Sequence, residues 1–190
     1  MAKTAFETAA PPRYRPLHVL NGALLVLMWT FTIGAYGSLP EQIPGNMGLT
    51  DVTRWEPRDR GTWLLMPLLA TFHAFLAYAL SGIANASPHG FNMPQKKRLL
   101  ALSRDGQRYA MEAMRAFMFG MATWLLVLTL YMQWRIFAAA LAGDAGFGAG
   151  WTVALVAFAL LPVPGVLWLS RAIGRRVQAW EASTRTHGDG

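Results

Sequence analysis

Four long apolar segments occupy most of the 190-residue chain, at about residues 17–37, 63–83, 117–141 and 151–170. Each has close to the ~20 residues that a helix needs to cross the ~30 Å hydrocarbon core of a bilayer. No charged side chain lies near the centre of any of them. The sequence therefore predicts an all-α fold: a polytopic integral membrane protein with four transmembrane helices.

The composition leaves little material for any other domain. Hydrophobic residues make up 54% of the chain and charged residues 14%, about half the charged share of soluble domains. We therefore expect a single membrane domain over residues 1–190. The chain contains no cysteine, which excludes disulfides, thiolate zinc sites, Fe–S clusters and cysteine nucleophiles.

The formal net charge of +7 is unevenly placed along the chain. Basic residues gather before the first segment, between the second and third, and after the fourth: Lys3, Arg13, Arg15; Lys96, Lys97, Arg98, Arg104, Arg108, Arg115; Arg171, Arg175, Arg176, Arg185. Positive charge favours the cytoplasmic side, so both termini are predicted to be cytoplasmic in a cell inner membrane. We expect this charge to face anionic lipid headgroups rather than nucleic acid.

The predicted loops differ in character. The outer loop, residues 39–60, begins with two prolines and two glycines within ten residues, which predicts a turn-rich segment. In the inner loop, residues 84–116, positions 95–102 predict a short basic amphipathic helix with Leu99 and Leu102 on one side. Ser103 is predicted to cap the next helix, and residues 184–190 are predicted to be a disordered tail.

His73 is the only ionisable side chain near the predicted middle of the bilayer. A charged imidazole would be costly there, so it should be neutral. One interpretation is a hydrogen bond to a facing hydroxyl or carbonyl, and four threonines are candidates: Thr30, Thr32, Thr123 and Thr129. The other is axial ligation of a chlorophyll-type pigment; haem is disfavoured because no second histidine lies at matching depth. No other cofactor and no metal is predicted.

The most constrained segment is the outer loop, and ordered loops often carry function. The residues predicted to form a ligand or partner surface there are Leu39, Pro40, Ile43, Pro44, Asn46, Asp51, Arg54 and Trp55. Trp134 and Arg135 are predicted to mark the outer interface, where an arginine can extend to water. The chain has no His-Glu-x-x-His motif, phosphate-binding glycine loop or nucleophile elbow, so no enzyme activity is predicted.

A sequence resemblance centres on the same loop. The motif Leu39-Pro40-x-x-Ile43-Pro44, directly after a first span and followed by Arg54-Trp55 and a proline-containing second span, resembles the bacterial membrane family of unknown function numbered 1648. Residues 46–48 are Asn-Met-Gly where the family pattern has histidine, an aromatic residue and asparagine. The family is related to the immunity proteins of a sporulation-delay toxin, which implies a receptor or protective role for the outer loop.

The leading hypothesis is a non-enzymatic bacterial inner-membrane protein whose outer loop has a binding, immunity or signalling role. Its predicted partners are the lipid bilayer and either another membrane protein or a second copy of the chain. One alternative is an accessory subunit of a larger energy-transducing or pigment-bearing complex. Another is a small transporter, which Pro67, His73 and the Pro-Val-Pro-Gly break at 162–165 would favour.

Overall fold

The computed structural model describes residues 14–48, 51–93, 95–143 and 148–186. The elements in chain order are α1 (Arg15–Ala35), β1 (Gln42–Met47), β2 (Val52–Pro57), α2 (Arg60–Ala86), α3 (Lys96–Ala101), α4 (Arg104–Ala142), α5 (Gly148–Leu160) and α6 (Pro162–Thr186). Short 3₁₀ turns follow α1 and α2. Four helical segments are long and apolar enough to cross a membrane: Arg15–Ser38, Arg60–Ala84, Arg104–Ala142 and Gly150–Arg185. The predicted number of such helices is confirmed.

Helix α4 is the central element, packed against α1, α2, α6 and β1. The Ser103 side chain accepts a hydrogen bond from the Gly106 backbone N–H at 3.3 Å, and Asp105 lies in the first turn. Both features stabilise a helix N-terminus. The predicted cap is confirmed, and the helix runs from it without interruption through the predicted third span. Its 39 residues give a length of about 58 Å.

The fourth apolar segment is divided between α5 and α6. Helix α5 ends at Leu160, and α6 begins with Pro162 in its first turn, where a missing backbone N–H is tolerated. In the most apolar stretch of this segment 6% of the residues are buried, against 33% in α4. The fourth segment is therefore the least covered of the four.

The prediction of a disordered tail from residue 184 is wrong for its first three residues. Helix α6 continues to Thr186, and residues 187–190 lie outside the described residues. Arg98 donates two hydrogen bonds to Glu181, at 3.2 and 2.5 Å, and Val177 is fully buried. These contacts hold the last turns of α6 in place. The polar sequence of the tail did not indicate that the helix continues this far.

The outer loop contains a two-stranded antiparallel sheet, which the all-α prediction lacks. In its register Ile43 faces Glu56, Pro44 faces Trp55 and Asn46 faces Arg54, so Gly45 is an extra residue at an irregularity in the ladder. A Cβ on Gly45 would overlap the side chain of Glu56. Glycine is needed where a bulge brings another chain segment this close. The loop is a bulged hairpin rather than a series of turns.

The two ends of the bundle have separate hydrophobic clusters. At the end where α1 begins and α6 ends, Leu99 of α3 packs with Met111 and Met114 of α4 and with Ile173 and Val177 of α6. We call this the basic end, because it holds α3, the start of α4 and the end of α6 with their arginines and lysines. The opposite end carries the sheet and is called the hairpin end.

Close packing of α4 on α6 at the basic end predicts the effect of one substitution. A Cβ on Gly106 would lie 2.6 Å from Nε1 of Trp180, so Gly106→Ala should lower the free energy of unfolding by about 1–3 kcal/mol. In the double variant Gly106→Ala/Trp180→Ala the clash is relieved, so its loss of stability should be smaller than the sum of the losses in the two single variants. Thermal unfolding in detergent measures both.

The matched control is Gly120→Ala in the same helix, where a Cβ would meet nothing within 4 Å. It should be neutral or slightly stabilising, since alanine favours the helix over glycine. Equal destabilisation by the two alanines would contradict the described packing of Trp180.

Candidate functional site

The first strand of the hairpin is fixed to the bundle by buried side chains. Leu39 and Ile43 are 4% and 1% exposed and pack with Trp63 of α2 and Ile136 of α4. Pro44 is also buried. Three residues predicted to face a ligand therefore form the attachment of the hairpin instead.

The second strand is held by the start of α5. Val52 and Trp151 are buried in one cluster, with Trp55 half-buried at its edge. The Trp151 indole donates a hydrogen bond to the Gly48 carbonyl at 3.3 Å and stacks on Tyr131 at 5.8 Å. The hairpin thus packs on α2 and α4 through Ile43 and on α4 and α5 through Val52.

Arg58 closes the base of the hairpin. Its guanidinium donates to the Leu39 carbonyl and its backbone N–H to the Glu41 carbonyl, both at 2.7 Å. Arg58 and Arg60 also lie over the Tyr36 ring, at 5.5 and 5.7 Å from its centroid. The carbonyls of Leu39 and Glu41, between α1 and β1, are therefore satisfied, and the cations are held against an aromatic face.

Two buried hydrogen bonds that involve Trp63 link neighbouring helices directly beneath the hairpin. Pro67 cannot donate to the Trp63 carbonyl one turn earlier in α2, because proline has no backbone N–H. Gln133 of α4, 1% exposed, donates its Nε2 to that carbonyl at 3.2 Å. The Trp63 indole in turn donates to the Thr32 carbonyl near the end of α1, at 2.7 Å. The Gln133 amide thus compensates for the proline and joins α4 to α2, and the Trp63 indole joins α2 to α1.

The exposed hairpin face consists of Asn46, Asp51, Thr53 and Arg54, all of which are exposed. Arg54 forms an ion pair with Glu56, and the Thr53 hydroxyl donates to the Asn46 carbonyl at 3.3 Å. Among the predicted loop residues, only three of these four and the half-buried Pro40 and Trp55 offer side-chain surface to a partner.

Trp134 and Arg135 lie in the last third of α4, on the side of the bundle that carries the hairpin. Trp134 is 48% exposed, and the Arg135 guanidinium lies 5.7 Å from the centroid of its ring. An exposed indole beside a cation is compatible with the predicted interfacial pair.

His73 is half-buried in α2, and its Nδ1 is buried without a hydrogen-bond partner among the described residues. Nδ1 of His73 therefore has no bond to any of the four candidate threonines. Thr32 and Thr129 each donate at 2.8 Å to a carbonyl of their own helix, and Thr123 donates at 2.6 Å to Asn21. The hydroxyls of Thr32 and Thr129 are satisfied within their own helices, and that of Thr123 is satisfied by α1. Such competing acceptors are not evident from the sequence alone.

Near the basic end, a polar cluster joins α1 to α4. The Tyr14 hydroxyl donates to Oε2 of Glu112 at 2.6 Å, and Arg115 donates to the other carboxylate oxygen at 2.7 Å. The Arg115 guanidinium also lies 5.4 Å from the centroid of the Tyr14 ring. Burial and the hydrogen bond to Glu112 raise the pKa of Tyr14 above its usual value.

The cluster continues deeper into the bundle. Asn21 is 4% exposed, donates to the Phe119 carbonyl at 3.3 Å and accepts the Thr123 hydroxyl at 2.6 Å. His18 and Tyr78 share a hydrogen bond of 2.9 Å between Nδ1 and the phenol oxygen. Its Tyr14, Asn21 and Thr123 donors are paired with acceptors, whereas Nε of Arg115 has none among the described residues. The paired groups are suited to holding α1, α2 and α4 together.

Sequence reasoning did not single out this cluster as a site, although a signal was present. Tyr14, His18 and Asn21 are four and three residues apart, so they share one helical face. Polar residues repeated on one face of an apolar helix indicate an interhelical contact. Their partners on α2 and α4 are set by packing that the spacing alone does not give.

Neither region has the composition of a metal site: among the described residues, no group of three or more histidine and carboxylate side chains could hold a metal ion. No protein-family model, curated protein or solved structure matches this chain. The geometry of the hairpin end is therefore the main guide to function.

Because Gln133 supplies the donor that Pro67 lacks, substitutions at these two positions should have non-additive effects on stability. Gln133→Leu leaves the buried Trp63 carbonyl without a donor and should cost about 1–3 kcal/mol of stability. In a Pro67→Ala background residue 67 regains its N–H, so Gln133→Leu should cost distinctly less. Unfolding of the four chains of this double-mutant cycle in detergent measures the coupling; strictly additive effects would contradict the assigned role of Gln133.

Proposed function

We propose that this chain is a non-enzymatic, multi-pass protein of the bacterial inner membrane that uses the exposed hairpin face to bind a partner, in an immunity or signalling role. The four apolar helices support membrane insertion, and the basic residues at one end support cytoplasmic termini. The resemblance of the Leu39 to Pro44 motif to the unknown-function family 1648 supports a role for this same segment.

The observation that carries the proposal is the anchoring of the hairpin. An isolated two-stranded hairpin is only marginally stable in water. Here Ile43, Val52 and Trp151 are 1%, 7% and 1% exposed, so one side of the sheet is fixed to the helices. Asn46 and Arg54, on paired positions of the two strands, remain exposed. A surface that is already ordered loses little conformational entropy when a partner binds.

A photo-crosslinking residue at position 46 tests this binding role in native membranes. We expect Asn46→p-benzoylphenylalanine to give an adduct of discrete mass with one protein or peptide. Arg54→Gln should weaken that adduct several-fold, because it removes the charge next to the contact. Val26, 66% exposed on α1, is the control position and should give lipid adducts only.

Arg185→Gln, at the basic end, is the charge-matched control and should leave the position-46 adduct unchanged. Membrane abundance of each variant is measured in parallel by immunoblot. If position 46 gives no protein or peptide adduct beyond that of position 26, or if the two arginine variants behave alike, the binding role is rejected.

A second candidate, an accessory subunit of a larger membrane complex, is favoured by the fourth segment. Val153, Val156 and Leu160 of α5 are 67%, 50% and 62% exposed, leaving apolar surface that either lipid or another subunit can cover. Extraction in mild detergent distinguishes the candidates: a stoichiometric assembly supports the subunit role, and a single or self-associated chain supports the first proposal. The absorption spectrum of the same sample tests a pigment on His73.

A further inference from the structure

A groove runs along α6 at the basic end, beside the residue that precedes α3. One wall is formed by side chains at positions 168, 171, 175 and 178, which the helical repeat of 3.6 residues places on one face. Its lining includes Gln95, Trp168, Arg171, Gly174, Arg175 and Gln178. The groove is apolar where Trp168 lies and polar one to two turns further toward the C-terminus.

Gln95 is held in this groove by an uncommon backbone conformation. Its φ and ψ are 61° and 20°, and it is the only non-glycine residue with positive φ among the described residues. A non-glycine residue in this region is destabilising and often marks a functional segment. Its amide Nε2 lies 2.9 Å from where a Cβ on Gly174 would be, so the glycine gives the amide room against α6.

The two arginines of the groove have no acidic partner within the part of the chain that the structure describes. The described ion pairs occupy Arg54, Arg98 and Arg115. Arg176, the neighbour of Arg175, donates to the Tyr109 carbonyl at 2.7 Å and lies over that ring, so its role is internal. Arg171 and Arg175 are exposed on the groove and are spaced to contact one anion together.

We propose that this groove binds the phosphodiester headgroup of an anionic phospholipid. Arg171 and Arg175 contact the phosphate oxygens, the amides of Gln95 and Gln178 donate to the same headgroup, and the acyl chain lies against Trp168. Guanidinium groups match phosphate geometry, and tryptophan favours the headgroup level of a bilayer. The site rests on the membrane insertion that the proposed function includes, but not on the hairpin.

Quenching of Trp168 fluorescence tests the site in the full chain. The protein is reconstituted in phosphatidylcholine vesicles containing either brominated phosphatidylglycerol or brominated phosphatidylcholine. The Trp168 signal is the difference between the wild-type chain and Trp168→Phe. We expect stronger quenching by the anionic lipid, and about tenfold weaker apparent binding of that lipid in Arg171→Gln/Arg175→Gln.

Arg104→Gln/Arg108→Gln is the matched control, because these arginines are also exposed, four residues apart and at the basic end. This double variant should retain the stronger quenching of Trp168 by the anionic lipid. Equal loss in both double variants would show diffuse charge attraction, and equal quenching of the wild-type chain by the two lipids would show no selectivity. Either result overturns the site.

Two further measurements separate the possible failures. Inorganic phosphate added to the vesicles should not abolish the preference; complete competition at millimolar phosphate would identify a soluble anion as the ligand and overturn the lipid assignment. Flotation after alkaline carbonate treatment measures insertion. A chain that does not insert overturns both the proposed function and the site, whereas an inserted chain without lipid preference overturns the site alone.

Discussion

The length of α4 determines how the rest of the chain is arranged. At 39 residues it is about twice as long as the hydrocarbon core requires, and α1, α2, α6 and β1 all pack against it. It therefore connects two clusters of different chemistry. Ile136 belongs to the apolar attachment of the hairpin, while Met111 and Met114 belong to the cluster at the basic end.

The polar groups that hold the helices together differ from those that we propose bind a partner or lipid. Buried polar groups such as Gln133 and Asn21 bond to carbonyls of neighbouring helices, and a buried polar group that is satisfied between helices contributes to specific packing. Other polar groups are exposed at the two ends of the bundle, among them Asn46 and Arg54 at the hairpin end and Arg171 and Arg175 at the basic end. We propose that the first pair meets a partner and the second pair meets lipid.

The sequence predicted the features that depend on local chemistry. The lengths of the apolar segments predicted the four helices, and Ser103, whose side chain bonds three residues ahead, predicted the start of α4. The hairpin was not predicted, because Pro44 and Gly45 disfavour a strand locally. Trp151, which donates a hydrogen bond to its turn, lies about a hundred residues away in the sequence. The prediction placed Leu39 and Ile43 in the right segment but gave them an exposed role, since loop position alone does not report burial.

We propose that the hairpin end and the basic end lie on opposite sides of a membrane and are joined by apolar helices. The chain has no cysteine, so a single introduced thiol can report the side directly. In intact cells, a membrane-impermeant maleimide should label Asn46→Cys, label Arg108→Cys only after permeabilisation, and fail to label Val26→Cys in either condition. Labelling of positions 46 and 108 from the same side, or of position 26 as readily as 46, would contradict the account.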